Sequence, residues 1–524
     1  MTKPPACDAD HPAERRERLR ERSLLWTSVS LAVLLPIANH ILVGNDGLNM
    51  RDEGYLWYGV RAVLAGEVPM RDFQAYDPGR YYWCAALAGL FGDGVVGVRA
   101  SSASFQVFGL MAGLLAARRV VRAPLALALL ALVFALWMFP RHKLYESSIT
   151  MIGVLAATRL VERPSAGRHL AAGVVIGAMA FFGRNHGLYL SLGLGGLALW
   201  LGFFPRAQDL GRRALCLAGG VLLGYAPMLA MMLGLEGFLG GFAHATKLLL
   251  EQGANLPEPY PWPWRASLAS AAEVGVVLAF LLPIVVYPLA LPALIRSGHA
   301  TARRSPHALL AACFFVGLPY THHFAVRSDL AHLAQALHPA LLLCLALASS
   351  ARRIPRAARI LSWATLLLIT GAVQLQRHPW LRERLDEEEV REVLVQVQGD
   401  RLRLKFPLAR QLGYVWLLVD KEIGDEELFI APTSPTFYPL LGKRSPDWWI
   451  YYLWPAPEAE QRETIRRLEE RRIRWALIVH KPFDADTSYA LEETNPLVWE
   501  YLEREFVRSE VEGVPRDYEL FERR

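Results

Sequence analysis

The chain has 524 residues, of which 53% are hydrophobic and 20% are charged, and its formal net charge is +6. Apolar runs of about 17–25 residues recur, each long enough to span a bilayer, which excludes an ordinary soluble protein. The positive excess is typical of basic cytoplasmic loops, so it does not indicate nucleic-acid binding. The five cysteines are scattered and predict neither a disulfide framework nor a Cys-x-x-Cys metal site.

Long apolar segments, separated by loops of alternating charge, predict a polytopic α-helical membrane protein with about eleven transmembrane helices. Alternate loops are rich in arginine, and a basic stretch at 14–22 precedes the first span, which we interpret as an uncleaved anchor. The positive-inside rule places these loops and the N-terminus in the cytoplasm, and an odd number of spans then places the C-terminus outside. The predicted spans are 24–44, 97–117, 123–140, 147–161, 169–184, 187–204, 213–235, 268–295, 307–325, 330–349 and 357–375.

The composition changes after residue 375. A charged cluster at 386–389 opens a region without further spans. Segments 428–432 and 475–479 predict buried strands, and 461–472 and 496–506 predict helices. Residues 506–521 alternate like a terminal hairpin around Gly513. The sequence therefore predicts two domains, a transmembrane domain at 1–375 and a small extracytoplasmic (periplasmic) α/β domain at 376–524.

A long external loop, 45–96, is predicted to follow the first span. It begins with two adjacent carboxylates, Asp52 and Glu53, at the mouth of that span, where charge is costly and usually functional. An isolated acidic pair after a span is more often a solvated loop, and that interpretation stays open here. Segment 55–64 predicts a helix lying in the membrane surface, and 81–91 is too short to span the membrane.

Acidic and basic residues gather at the predicted outer ends of the spans. Arginine and lysine stabilise a phosphate, and a nearby carboxylate can take a proton from a hydroxyl nucleophile, so the combination favours group transfer from a lipid phosphate. Alternatively, the cations extend to lipid headgroups. His322, His323 and His332 resemble metal ligands, but no spacing completes a site, so no cofactor is predicted and a divalent metal is unsupported. The outer-face residues are Asp52, Glu53, Arg71, Asp72, Asp77, Arg80, Arg141, His142, Lys143, Glu146, Arg184, Asn185, His186, His322, His323, Arg327, Asp329 and His332.

Several motifs carry a resemblance to a known superfamily. Arg51-Asp52-Glu53-Gly54 follows the first span, and Arg327-Ser328-Asp329-Leu330-Ala331-His332-Leu333 follows the ninth. With segments 66–69, 76–82 and 431–438, this arrangement resembles the GT-C membrane glycosyltransferases, which use polyprenyl-phosphate sugars and include protein O-mannosyltransferases and lipid A aminoarabinose transferases. The resemblance covers nearly the whole chain.

The resemblance implies an inverting transfer of a sugar, on the outer face of a bacterial inner membrane, from a polyprenyl-phosphate donor to a hydroxyl acceptor. The acceptor would be an envelope glycolipid, polysaccharide or protein; no oligosaccharyltransferase-type acceptor motif stands out in the tail. Asp52 would be the catalytic base and Glu53 its neighbour, orienting the acceptor or tuning the base. The residues expected to bind substrate are Arg141, Lys143, Arg184, Arg327, Asp329, His332, Asp77 and Arg80.

Two other classes stay open at this point. A transporter or flippase of a lipid-linked anion would also need basic residues at membrane depth. A non-catalytic assembly protein of the cell envelope would need neither Asp52 nor Arg327. The concentration of charge on one side and the external domain favour the transferase.

Overall fold

A computed structural model describes most of the chain as helix, with a smaller region of helices and strands at the C-terminus. This confirms the predicted fold class, a polytopic α-helical protein with a small α/β region. Parts of the arginine-rich loops, the acidic cluster at 386–389 and the turn around Gly513 lie outside the described residues. The described residues are 12–203, 209–252, 257–302, 305–350, 356–377, 391–480, 487–509 and 517–524.

Sixteen described helices make up the N-terminal part, and each predicted span contains one helix or one broken pair. Within the described residues, six helices are long and apolar enough to cross a membrane, or up to eight if each bent pair forms one span. The helices are α1 Pro12–Val43, α2 Asp52–Leu64, α3 Pro78–Phe91, α4 Val95–Ala117, α5 Pro124–Leu136, α6 Leu144–Glu162, α7 Ala166–Phe182, α8 Arg184–Phe203, α9 Leu210–Gly224, α10 Ala226–Gly234, α11 Phe238–Gln252, α12 Ala271–Ala302, α13 Ser305–Val326, α14 Leu330–Ala336, α15 His338–Ser350 and α16 Arg356–Arg377.

The remaining predicted spans, α5, α7 and α8, do not meet the same length and hydropathy criteria. Helix α5 has 13 residues. At 1.5 Å per residue it is about 20 Å long, which is shorter than a hydrocarbon core of about 30 Å. The predicted number of eleven is therefore not confirmed.

Two spans are broken by prolines. Helices α9 and α10 meet at 57° beside Pro227, and α14 and α15 meet at 54° beside Pro339. Proline cannot donate the backbone hydrogen bond that would continue a helix, so the chain bends at these points. The second break leaves α14 as a short helix whose first turn carries His332.

The C-terminal region contains two sheets. Strands β1 (Glu392–Val397) and β2 (Asp400–Lys405) form an antiparallel hairpin that the sequence did not predict. The second sheet has the order β3-β4-β6-β5, with β3 and β4 parallel and the other pairs antiparallel. Its strands are β3 Leu428–Ala431, β4 Trp475–Val479, β5 Phe506–Arg508 and β6 Tyr518–Arg523, and the helices are Phe406–Leu418, Phe437–Leu440, Glu458–Glu470, Leu491–Thr494 and Pro496–Glu505. The two predicted strands, the two predicted helices and the terminal pairing are thus confirmed.

The C-terminal region packs directly on the loop 45–96. A Cβ added at Gly54 of α2 would collide with the backbone and hydroxyl of Thr436, so only glycine allows this approach. Trp448 Nε1 donates to Met70 O at 3.0 Å, and its carbonyl accepts from Gln74 N at 2.7 Å. Helix α2 is consequently buried along most of its length, where the sequence predicted a helix lying in the membrane surface.

Candidate active site

A cavity of about 380 Å³ lies where the loop 45–96, the start of α6, the turn before α14 and the C-terminal region meet. It brings together six of the ten predicted site residues. They come from sequence positions as far apart as 52 and 332, so only the fold makes them neighbours. The six are Asp52, Lys143, Arg184, Arg327, Asp329 and His332.

Asp52 begins helix α2, where the helix dipole favours a negative charge. Its Oδ2 lies 3.5 Å from His142 Nε2 and 3.9 Å from Lys143 Nζ, and its side chain is 40% exposed, facing the cavity. The protein around it desolvates the carboxyl, which by itself raises its pKa. The charge of Lys143, the bond to His142 and the charge of Arg327 outweigh that effect and hold the pKa of Asp52 well below its usual range. The side chain is therefore an ionised carboxylate at neutral pH.

Lys143 is the cation beside Asp52. A 3-10 turn, Arg141–Lys143, precedes α6 and places Lys143 on the cavity wall. The 3.9 Å separation from Asp52 exceeds a hydrogen bond, so this ammonium can take a closer anionic partner.

Arg327, Asp329 and His332 form one hydrogen-bonded group on another part of the wall. Asp329 caps α14 by accepting from His332 N at 2.7 Å, and it also lies 2.8 Å from His332 Nδ1. Arg327 Nε donates to Asp329 Oδ2 at 2.6 Å. Burial by itself raises the pKa of Asp329, but the contacts with His332 and Arg327 hold it well below its usual range. This group presents a fixed guanidinium to the cavity.

Arg184 reaches the cavity from the start of α8. It donates to Thr246 Oγ1 at 2.7 Å, and its Nε lies 3.3 Å from Asp77 Oδ1. Asp77 is buried behind it and does not line the cavity. Burial raises the pKa of Asp77 in spite of the opposing charge of Arg184. Asp77 therefore supports Arg184, and we assign it no direct contact with a ligand.

Glu53 points away from the cavity, although it is the neighbour of Asp52 in sequence. Arg99 of α4 donates two hydrogen bonds to Glu53, from Nε to Oε1 at 2.6 Å and from Nη2 to Oε2 at 2.7 Å. Arg141 Nε donates a third to Oε1 at 3.0 Å. Glu53 and Arg99 are almost completely buried. Burial alone raises the pKa of Glu53, but the two arginines hold it well below its usual range. Glu53 and Arg141 thus belong to a buried ion-pair cluster, which does not fit the predicted contact with the acceptor or the donor.

Arg80 is likewise placed outside the cavity. Its guanidinium donates to Glu146 Oε1 at 3.1 Å and to Phe182 O, and it lies 4.7 Å from the ring centre of Tyr76. Tyr76 itself lines the cavity. Arg80 therefore lies behind the cavity wall, where it packs against Tyr76.

Aromatic residues of the C-terminal region close the cavity, and the sequence did not single them out. Trp448, Trp449, Tyr451 and Trp454 face the wall that carries Asp52. The dense aromatic run at 448–454 was a signal that could have identified them, because aromatic rings that line a cavity offer a large apolar face to a ligand. Arg99 was also missed, although a lone arginine inside an apolar span is a recognised marker.

Among the described residues, no group of three or more His, Cys, Asp or Glu side chains could hold a metal ion. His322 contacts Tyr189 OH at 3.0 Å, and His323 contacts Gln335 Oε1 at 3.0 Å, so these neighbouring histidines bind protein groups.

No protein-family model and no curated protein matches the chain. Among solved structures, it is similar to ArnT from Cupriavidus metallidurans in the apo state, with 15% identity, a TM-score of 0.49 and coverage of 98% of each chain. It is also similar to the oligosaccharyltransferase AglB from Archaeoglobus fulgidus, with 12% identity, a TM-score of 0.44 and coverage of 96% of this chain and 75% of that one. Both are GT-C glycosyltransferases, the superfamily whose motifs the sequence resembles. Each TM-score is below 0.5, so the chemistry of this chain is inferred from its own residues.

Proposed function

We propose that the protein is an integral-membrane glycosyltransferase, which moves a sugar from a polyprenyl-phosphate donor to a hydroxyl of an envelope acceptor. The observation that carries the proposal is the cavity itself, because one wall holds an ionised carboxylate beside an ammonium that has no closer anionic partner among the described residues. A reaction that deprotonates a hydroxyl and releases a phosphate needs those two groups side by side.

In the proposed reaction, the acceptor oxygen attacks the anomeric carbon of the sugar while the bond from that carbon to the phosphate oxygen breaks. The acceptor proton passes to Asp52, and the electron pair of the broken bond leaves with polyprenyl phosphate. Attack from the side opposite the leaving group makes the transfer inverting. Lys143 and Arg327 stabilise the charge that grows on the phosphate.

Asp52 alone is a weak base, because its cationic neighbours lower its pKa. The phosphate of a bound donor pairs with Lys143 and Arg327, so these cations stabilise the negative charge of Asp52 less. The pKa of Asp52 then rises towards the range in which a carboxylate accepts a proton effectively. Donor binding thus prepares the base, and water in the donor-free cavity meets a less basic carboxylate.

The proposal places the cavity on the extracytoplasmic side of the bacterial inner membrane. The supporting observation is the direction of the helices. Asp52, Lys143 and Arg184 lie at the ends of spans opposite the arginine-rich loops, which the positive-inside rule assigns to the cytoplasm. The same assignment makes the C-terminal domain, 376–524, extracytoplasmic.

The test separates donor binding from transfer. The purified protein is reconstituted with a radiolabelled polyprenyl-phosphate sugar and an envelope extract, and donor binding and label transfer are measured separately. Asp52→Asn should retain donor binding and lose about 10²–10⁴-fold in transfer, the usual contribution of a positioned base. Lys143→Ala should weaken donor binding by about ten-fold or more, because a hydrogen bond to a charged group is worth about 1.5–3 kcal/mol.

Glu251→Gln is the matched control, since this exposed residue lies outside the cavity. Donor movement across the bilayer without transfer would favour the flippase. Unchanged transfer and binding in both cavity variants would leave a non-catalytic assembly protein as the better interpretation.

A further inference from the structure

A second cavity lies at the opposite ends of the same helices. Its volume is about 400 Å³, and it is formed by the start of α1, the end of α4 and the end of α6. The candidate span Arg141–Glu162 has 22 residues and connects the Lys143 wall to this cavity. At 1.5 Å per residue it is about 33 Å long, close to the thickness of a hydrocarbon core. The second cavity therefore lies at headgroup level on the other face of the membrane.

An aromatic residue supports this depth independently. A third cavity shares Arg122 with the second cavity and is lined by Trp363 of α16, together with Leu345 and Arg359. Tryptophan is enriched at the boundary between hydrocarbon and headgroups, where one side of its ring is apolar and the other is hydrated.

The second cavity has more positive than negative charge. Two glutamates line it: Glu21 binds Arg118 at 2.6 Å and also pairs with Arg122, and Glu162 binds Arg119 at 2.9 Å. The fourth arginine, Arg159, is exposed and forms no ion pair with any residue that the structure describes. Four guanidinium groups thus face two carboxylates, and the complete lining is Glu21, Leu25, Leu115, Arg118, Arg119, Arg122, Arg159 and Glu162.

We propose that this cavity binds the phosphodiester headgroup of an anionic phospholipid. Arg159 supplies the planar pair of N–H donors that matches two phosphate oxygens, and Arg122 lines the same space. Leu25 and Leu115 offer apolar surface to the start of an acyl chain, which a free phosphate ion would not use. Basic pockets between transmembrane helices on the cytoplasmic side are suited to such headgroups. The proposal does not depend on the glycosyltransferase function.

The test measures lipid retention by native mass spectrometry of the full chain released from detergent micelles. Phosphatidylglycerol and phosphatidylcholine are supplied at equal amounts, and the wild-type protein should retain the anionic lipid preferentially. Arg159→Gln should reduce that retention about five-fold, the effect of losing one cationic contact with an anionic headgroup. Arg159→Lys should recover only part of it, because lysine keeps the charge but not the planar pair of N–H donors.

Arg212→Gln is the matched control, since Arg212 is exposed at the same end of the bundle, at the start of α9, and does not line the cavity. Its retention of phosphatidylglycerol should equal that of the wild type. The thermal unfolding temperature of Arg159→Gln should also match that of the wild type, because the substitution removes no ion pair with a described residue. Equal retention of the two lipids by the wild type, or unchanged retention by Arg159→Gln, would overturn the proposal. Displacement of the lipid by excess inorganic phosphate would show a phosphate-ion site instead.

Discussion

Asp52 and Glu53 are adjacent in sequence, yet their surroundings differ. Those of Asp52 suit proton transfer, and those of Glu53 suit stabilisation of the fold. Glu53 is buried and held by three bonds of 2.6–3.0 Å from Arg99 and Arg141. Asp52 faces a cavity, and its neighbours His142 and Lys143 lie at 3.5 and 3.9 Å. A carboxylate whose oxygens are already saturated by close donors has little to offer a substrate. A carboxylate with looser contacts on a cavity wall can accept a proton.

The largest expected effect on stability comes from breaking the buried cluster. Glu53→Gln leaves the guanidiniums of Arg99 and Arg141 without their anion inside the protein. Removing one partner of a buried ion pair typically costs about 3–5 kcal/mol. Denaturant unfolding in detergent should show a loss of that size, with the exposed Glu251→Gln as the control. A loss below about 0.5 kcal/mol, the usual range for a surface substitution, would contradict the structural role of Glu53.

A smaller loss is expected where the C-terminal region meets α2. The added methyl group of Gly54→Ala would collide with Thr436, and such overpacking usually costs about 1–3 kcal/mol. The contact should also loosen, so limited proteolysis should cleave between the transmembrane and C-terminal regions faster. Gly89→Ala in α3 is the matched control, because its methyl group would meet no atom within 4 Å. Equal protease resistance of both variants would argue against a tight contact at Gly54.

The buried cluster of Glu53, Arg99 and Arg141 should also make the free energy of unfolding depend on pH. The pKa of Glu53 is lower in the folded protein than in the unfolded chain, so the unfolded chain binds a proton first as the pH falls. The stabilisation is complete above the unfolded value of about 4.3 and declines below it, by at most about 1.4 kcal/mol per pH unit. The difference in unfolding free energy between wild type and Glu53→Gln should therefore shrink below that pH. A difference that stays constant down to pH 3 would mean that the cluster does not lower this pKa.

Arg327 combines the two situations, because it lines the cavity like Asp52 and is tightly paired like Glu53. Arg327→Ala should weaken donor binding while the protein remains folded. Arg327→Lys should restore only part of the binding, with a remaining deficit of less than about ten-fold, because an ammonium cannot reproduce two parallel N–H donors. Wild-type donor binding by Arg327→Ala would show that the side chain only holds Asp329 at the start of α14.

Much of the fold follows from local sequence patterns. Apolar length predicted a helix in every proposed span, and short β-branched or aromatic runs predicted β3 and β4. The hairpin β1–β2 was missed, although β2 alternates arginine and lysine with leucine, which is the pattern of a half-exposed strand, and β1 is mostly apolar between its glutamate and its glutamine. Helix α5 has 13 residues and is shorter than the span assigned to it, 123–140, since an apolar composition does not fix where a helix ends.

The site was harder to predict, because its contacts are long-range. Six of the ten predicted site residues line one cavity, and their role in catalysis or binding stays a prediction. The resemblance assigned different roles to Asp52 and Glu53, but it could not show that Glu53 is buried in an ion pair, because its partner, Arg99, lies 46 residues away inside a span. The aromatic side chains at 448–454 reach the cavity only because the C-terminal region folds back onto the first loop.

The most direct test of the account measures unfolding free energy and sugar transfer on the same preparations of Asp52→Asn and Glu53→Gln. Asp52→Asn should lose less unfolding free energy than Glu53→Gln, because its contacts at 3.5 and 3.9 Å are looser and partly exposed, and it should lose most transfer. Glu53→Gln should be destabilised, and its folded fraction should transfer sugar at a rate near that of the wild type. A stable but inactive Glu53→Gln together with a fully active Asp52→Asn would contradict the assignment of Asp52 as the base.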